Sequence, residues 1–173
     1  MAYRPLVLFV CTGNTCRSAM AERLFAQLLE KRGDRERLRV ASAGLWAYNG
    51  RPASPEAIAL LGEEGLDLTD HSARALTQQM VDEADLVLAM ERAHLRDLAM
   101  RFVRAQPKAH LLSKTAGKRG DVADPVAGGR GDYAACRDTL RMFLEEGYDR
   151  IIALAERDPA KKSQGWRWPW HRR

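Results

Sequence analysis

At 173 residues, 46% hydrophobic and 29% charged, the chain has the size and make-up of one folded domain, and it lacks the bias of collagen, mucin or disordered proteins. Its net charge of +5 does not mark a groove-binding nucleic-acid protein, because the excess is terminal: residues 1–156 carry 22 Lys and Arg against 22 Asp and Glu. The longest apolar run is too short to cross a bilayer, no secretory leader pattern is present, and three cysteines do not pair off completely, so a reducing cytoplasm is expected.

Leu6-Val7-Leu8-Phe9-Val10-Cys11 is a continuous apolar run rich in β formers, the pattern of a strand buried on both faces. Thr12 to Thr15 break it, and from Ser18 onward Met20, Leu24, Phe25 and Leu28 recur at helical spacing. Leu38–Ala43 reads as a second strand, followed by a loop over Gly44–Ala53 that turns at Asn49-Gly50. Ser54-Pro55 caps and starts a helix over Glu56–Glu64, which Gly65 stops. Thr77–Ala84 predicts a short helix before a strand at Leu86–Met90. A helix over Glu91–Phe102 and a weak strand at Ala109–Leu112 come next. The glycine-rich loop Thr115–Asp132 precedes a helix over Tyr133–Glu146, which resumes through Ile151–Glu156 after Gly147. Strands alternating with helices imply right-handed crossovers and a parallel sheet covered on both faces. Ligands of such sheets bind beyond the carboxyl ends of the strands, near a switch in strand order. The segment after Cys11 is at such an end.

That segment, Cys11-Thr12-Gly13-Asn14-Thr15-Cys16-Arg17-Ser18, joins a buried strand to a helix. Successive backbone N–H groups in a tight loop there form a cradle for an anion, and the helix N-terminus adds partial positive charge. A cysteine at the rim faces those donors and is favoured as the nucleophilic thiolate. Gly13 lets the backbone pass close to a phosphate. Arg17, folding back, grips two phosphate oxygens with a planar fork that Lys lacks. The Ser18 hydroxyl is placed to donate to a departing sulfur. Thr12, Asn14, Thr15 and Cys16 complete the cradle. An inert, buried Cys11 with Arg17 on a solvated face is the bland alternative; Gly, Asn and Ser inside the C-x5-R pattern, at a strand-to-helix junction, weigh against it.

On these residues the chain resembles the low-molecular-weight protein phosphatase family, whose bacterial members include arginine-directed and tyrosine-directed enzymes. Ser42-Ala43-Gly44, the Asp70-His71 region, Ala84-Asp85-Leu86-Val87-Leu88-Ala89-Met90 and Asp124-Pro125 agree in order, over about residues 6–156. The resemblance implies an α/β fold in three layers, with a four-stranded parallel sheet flanked by helices, and a phosphatase domain over residues 1–156. It also implies metal-independent, cofactor-free hydrolysis of a phosphorylated protein residue through a phospho-cysteine, and an Asn–Ser–Ser–His network at Asn14, Ser18, Ser42 and His71. One position departs: Ala19 stands where many relatives have Pro, and a good helix former still starts that helix.

The leaving group needs a proton. The resemblance assigns that to Asp124, which would then activate water as a base. Pro125 disfavours the helical backbone region at Asp124. Alone, Asp-Pro marks a turn, and Asp121 is the nearby alternative. Trp46 and Tyr48 either line the pocket wall or belong to a partly buried loop. His71 is expected to be structural, with Ser42 as its partner, and His94 and His110 have no assigned role. Cys16 either pairs reversibly with Cys11 or packs, and Cys136 reads as core.

Phosphoarginine is the expected substrate, with phosphotyrosine the alternative. Tyrosine-directed relatives tend to carry a bulkier aliphatic residue at the position of Thr15 and aromatics after Asp-Pro, where this chain has Val126-Ala127-Gly128-Gly129. Val126 also departs from the Phe common in arginine-directed relatives. Arsenate reduction is set aside because the extra cysteines would be expected around residues 80–92, and zinc because C-x4-C with scattered histidines supplies no four-ligand set. Residues 157–173 place Trp166, Trp168 and Trp170 among cations. That composition fits an anionic partner, nucleic acid or lipid, as well as a disordered extension.

Overall fold

The structure is a computed structural model that describes residues 3–157. The expectations for residues 158–173 fall outside the described residues. Strand β1 (Leu6–Cys11) leads into α1 (Arg17–Lys31), β2 (Arg39–Gly44), α2 (Pro55–Gly62) and α3 (Gln78–Glu83). Strand β3 (Leu86–Ala89), α4 (Arg92–Arg101), a 3-10 helix (Val103–Lys108) and β4 (Ala109–Leu111) follow. Three helices close the chain: α5 (Leu112–Thr115), α6 (Arg130–Glu146) and α7 (Tyr148–Ala155). Among the described residues no helix is long and apolar enough to cross a membrane.

The four strands form one parallel sheet in the order β2-β1-β3-β4. From β1 the chain steps to β2 on one side, and only then to β3 and β4 on the other. The winding therefore reverses at β1, and the loop after Cys11 leaves the carboxyl end of the switch strand. All six residues of β1 are buried, and they alternate between two cores. Val7, Phe9 and Cys11 face a layer with Met20, Leu24 and Phe25 of α1 and Leu140 of α6. Leu6, Leu8 and Val10 face a smaller layer with Val81, Leu98 and Ala105. Phe9 and Phe25 meet edge to face, with ring centroids 5.7 Å apart. Truncating such a fully buried ring costs about 3–5 kcal/mol, so the floor beneath the loop is well fixed.

Some boundaries differ from expectation for local reasons. Helix α6 begins at Arg130, because the Asp132 carboxylate accepts the Gly129 N–H at 3.0 Å and caps a start that reads as loop in the sequence. The short helices after Phe102 and Leu111 were not anticipated; one contains Pro107 and the other has only four residues, too few for a periodic signal. Helix α7 begins directly after Gly147, where a Cβ would come within 2.6 Å of the Phe143 carbonyl. Thr77 does cap α3, its hydroxyl accepting the Met80 N–H at 3.2 Å.

Candidate active site

The loop between β1 and α1 is anchored at both ends. Leu45 and Trp46 donate backbone N–H groups to the Cys11 and Thr12 carbonyls, each at 2.9 Å, which continues the β1–β2 pairing past Gly44. At the far end, Met20 donates to the Cys16 carbonyl at 2.8 Å and opens the helix. Gly44, paired in register with Cys11, explains the Ser-Ala-Gly motif: a Cβ there would sit 2.7 Å from the Thr12 carbonyl and 2.9 Å from Asn14 N. Only glycine lets β2 press against the loop.

Asn14 is the buried centre of the loop, in the left-handed region at φ 55, which Asn tolerates better than most side chains. Its amide donates to Ser18 Oγ and Ser42 Oγ, each at 2.9 Å, and its Oδ1 accepts the Arg74 N–H at 2.9 Å. Because Asn14 fills an acceptor site on each hydroxyl, the hydroxyl protons must go elsewhere. Ser18 Oγ lies 2.9 Å from Cys11 Sγ, and Ser42 donates to Glu22. The Asn14 N–H also reaches Cys11 Sγ, at 3.3 Å. The Asn14 N–H and the Ser18 hydroxyl, which also reaches the Ala43 carbonyl at 3.5 Å, thus both meet the Cys11 sulfur. Among the described residues, no acceptor reaches the backbone N–H of Gly13, Thr15 or Cys16, which leaves these donors for an anion.

Arg17 is 2% exposed and lies across this loop. Its Nη1 donates to Glu91 and to the Val122 carbonyl at 3.1 Å, and its Nη2 to the Asp124 carboxylate at 2.6 Å. Burial works against the guanidinium charge, but Glu91, Cys11 and Asp124 outweigh it and raise its pKa above the ordinary value, so Arg17 stays cationic. Glu91 and Asp124 are themselves partly exposed, so water screens both pairs. The site therefore brings together Cys11, Arg17 and Asp124. Asp121 turns away, accepting the Arg92 N–H at 3.1 Å and pairing with its guanidinium.

Several expectations need correction. His71 does not pair with Ser42; its Nε2 donates to the Asn14 carbonyl at 2.6 Å, because Ser42 is already taken by Asn14 and Glu22. Trp46 and Tyr48 are not partly buried but 60% and 76% exposed, and the Arg101 guanidinium stacks on the Trp46 ring at 4.1 Å. Trp46 stays beside the loop through its backbone bond to Thr12. Cys16 and Cys136 are both buried in the core layer beneath the loop, and Cys136 and then burial raise the Cys16 pKa.

Sequence reasoning missed Glu91, Glu22, Arg74 and the part played by His94. His94 is buried, and its Nε2 lies 2.9 Å from Thr12 Oγ1. Burial, and then the Arg17 charge, lower its pKa. Glu91 lies two residues after β3, beside the switch point, and Glu22 sits one helical turn after Ser18; both spacings were signals. Arg74 gave none. Among the described residues, no group of three or more His, Cys, Asp or Glu side chains is arranged to hold a metal ion.

Comparison with known proteins agrees with this geometry. A sequence profile described as low molecular weight phosphotyrosine protein phosphatase matches residues 6–156. The chain is 40% identical over 141 residues to the protein-arginine-phosphatase of Bacillus subtilis, covering 81% of this chain and 92% of that one. It is 39% identical over 147 residues to a low molecular weight protein-tyrosine-phosphatase of Streptomyces coelicolor, covering 81% and 88%. Among solved structures, a YwlE mutant from Bacillus subtilis matches with a TM-score of 0.80 at 37% identity, covering 85% of this chain and 98% of that chain.

Proposed function

The chain belongs to the low molecular weight phosphotyrosine protein phosphatase family, and we propose that within it the chain hydrolyses phosphoarginine in proteins. The carrying observation is the convergence of Cys11, Arg17 and Asp124 above a loop with open backbone donors. Cys11 Sγ attacks phosphorus, stabilised as the thiolate by Ser18 and Asn14. A phosphoryl oxygen takes the place on Arg17 Nη2 that the Asp124 carboxylate holds, while Nη1 stays on Glu91 and the Val122 carbonyl. The released Asp124 carboxylate takes a proton from solvent, turns to the leaving group and passes that proton to it. Asp124 then takes a proton from the water that attacks the phospho-cysteine, and Ser18 donates to the departing sulfur.

The preference for arginine rests on shape beside that common chemistry. Thr15 is a small, half-buried hydroxyl residue at the cradle, and the segment after Asp124-Pro125 offers exposed Val126 and glycines rather than a ring to stack on tyrosine. The relative from Bacillus subtilis, named as a protein-arginine-phosphatase, supports the same reading. A second reading, the tyrosine phosphatase, is favoured by exposed Trp46 and Tyr48 after β2, which offer ring contacts from the opposite side. Assay of matched phosphoarginine and phosphotyrosine peptides separates the two. The wild type should be faster on phosphoarginine, and Thr15→Ile should cut that activity far more than the phosphotyrosine activity. Faster phosphotyrosine turnover, or equal losses in the variant, favours the second reading.

A further inference from the structure

No step of the phosphoryl transfer uses His94, yet it is 4% exposed and meets the anion loop through a single ring atom. Its Nε2 lies 2.9 Å from Thr12 Oγ1, and its Nδ1 is buried with no hydrogen-bond partner among the described residues. Thr12 is exposed on the loop, and its Oγ1 also accepts from Arg17 Nη2 at 3.4 Å. That Nη2 is the nitrogen that holds the Asp124 carboxylate. His94, Thr12, Arg17 and Asp124 are therefore linked in one chain of contacts, and it runs through the nitrogen at which a phosphoryl oxygen arrives.

The imidazole sets the direction of the protons along this chain. A neutral ring carries one N–H. On Nδ1 that proton would be a buried donor without an acceptor, a state that costs free energy and is rare in folded proteins. On Nε2 it is satisfied by Thr12 Oγ1. Burial and the Arg17 charge keep the ring neutral, opposed by Glu91, Asp97 and Asp124. The first turn of α4, where His94 sits, disfavours the imidazolium as well. A charged ring would still donate from Nε2, so the direction holds in either state. Thr12 Oγ1 accepts from both His94 and Arg17, which fills its two lone pairs. Its own proton must point away from both.

We propose that His94 is a positioning residue that turns the Thr12 hydroxyl into a donor for the phosphoryl group, so that Thr12 and Arg17 Nη2 grip one phosphoryl oxygen together. The inference rests on the phosphatase chemistry of Cys11, and it applies to an arginine or a tyrosine leaving group alike. Without the His94 N–H the hydroxyl rotates freely, and a lone pair then faces the incoming oxygen as readily as the proton does. Hydrogen bonds to charged oxygens are about twice as strong as neutral ones, so losing this orientation is felt.

A double-mutant cycle tests it, read by kcat/KM for p-nitrophenyl phosphate and by inhibition with inorganic phosphate. Thr12→Val keeps the shape and removes the hydroxyl, while His94→Leu removes the orienting donor. Each change alone should lower kcat/KM and weaken phosphate inhibition about tenfold. The double variant should match Thr12→Val within about twofold. His94→Gln, whose amide offers an N–H near the place of Nε2, should recover most of the loss. A Thr12→Val enzyme within about twofold of the wild type overturns the proposal. So does a His94→Leu loss that is equally large in the Thr12→Val background, the mark of a merely structural histidine, and so does a His94→Gln enzyme no better than His94→Leu. Thr12 is exposed, so Thr12→Val still tests the donor if His94→Leu fails to fold. Cys11→Ser, run in parallel, reports on the phosphatase chemistry separately: turnover in that variant would overturn the role of Cys11, whatever the cycle shows.

Discussion

The loop that carries Cys11 and the loop that carries Asp124 serve one reaction but are held in opposite ways. Around Cys11, every polar atom of the buried Asn14 side chain is bonded, and glycine at position 44 leaves no space for the loop to shift. The Asp124 side chain is 42% exposed and held by Arg17 at 2.6 Å and the Val126 N–H at 3.2 Å. A cradle that stabilises charge must be preorganised, because reorganisation at the moment of reaction cancels the benefit. An acid that serves a leaving group and then a water must change partners, so a light tether suits it. The contrast predicts that small changes in the first loop hurt more than comparable changes in the second.

The largest effect is expected from Cys11→Ser, which should abolish turnover while phosphate-analogue binding survives, since a serine hydroxyl is far less ionised than a thiol. Substantial residual activity would break the mechanism. Next comes the comparison of two glycines by kcat/KM. Gly44→Ala pushes a methyl into the Thr12 carbonyl and Asn14 N, and a displacement of that kind in a cradle costs about a hundredfold. Gly129→Ala, with nothing within 4 Å of the added Cβ, should be nearly silent. Similar losses in both would erase the proposed difference between the loops.

Asp124→Ala should lower kcat/KM, which reads formation of the phospho-enzyme, about a hundredfold with poor leaving groups and much less with p-nitrophenyl phosphate, whose leaving group needs little protonation. A loss independent of leaving group would take the acid's role from Asp124. A smaller effect concerns pH. Burial and Arg17 hold the His94 pKa below its ordinary 6.5, so the unfolded chain binds the proton more tightly. The stability His94 contributes is whole above that ordinary value and is lost as pH falls through the lowered one. His110 is lowered in the same direction by burial, so His94→Asn should flatten the acid limb only in part. Urea midpoints at about pH 7 and about pH 5 measure it, and an unchanged limb would contradict the assignment. The smallest effect is expected from deleting residues 157–173, because residues 1–156 are charge-balanced and contain every proposed catalytic side chain. Turnover of small substrates should not change.

The same contrast explains what the sequence made legible. A six-residue apolar strand followed by turn residues and an arginine is a local pattern, so β1, the loop and Arg17 could be read directly. The position of Asp124 came only through resemblance, because 107 residues separate it from Arg17 and Asp-Pro alone marks a turn. The partners that stiffen the cradle were harder still. Glu91, Arg74 and His94 meet the loop through folding of distant segments; Glu91 could be suspected from its place after β3, but Arg74 carries no local sign of a buried partner. His71 was expected on Ser42, yet the Asn14 carbonyl holds it; residue types alone could not decide between two acceptors. The capping carboxylate that extends α6 to Arg130 was hidden within a glycine-rich stretch for the same reason.

The most direct test of the division between the loops is to mix Asp124→Ala with p-nitrophenyl phosphate, quench, and locate any phosphoryl group by mass spectrometry. Formation of the phospho-enzyme from this good leaving group does not need the acid, but its hydrolysis needs Asp124 as base. The account predicts that a phosphoryl adduct accumulates on Cys11 in the variant and is scarce in the wild type. An adduct on another residue, or no accumulation while p-nitrophenolate is still released at the variant's steady rate, would contradict it.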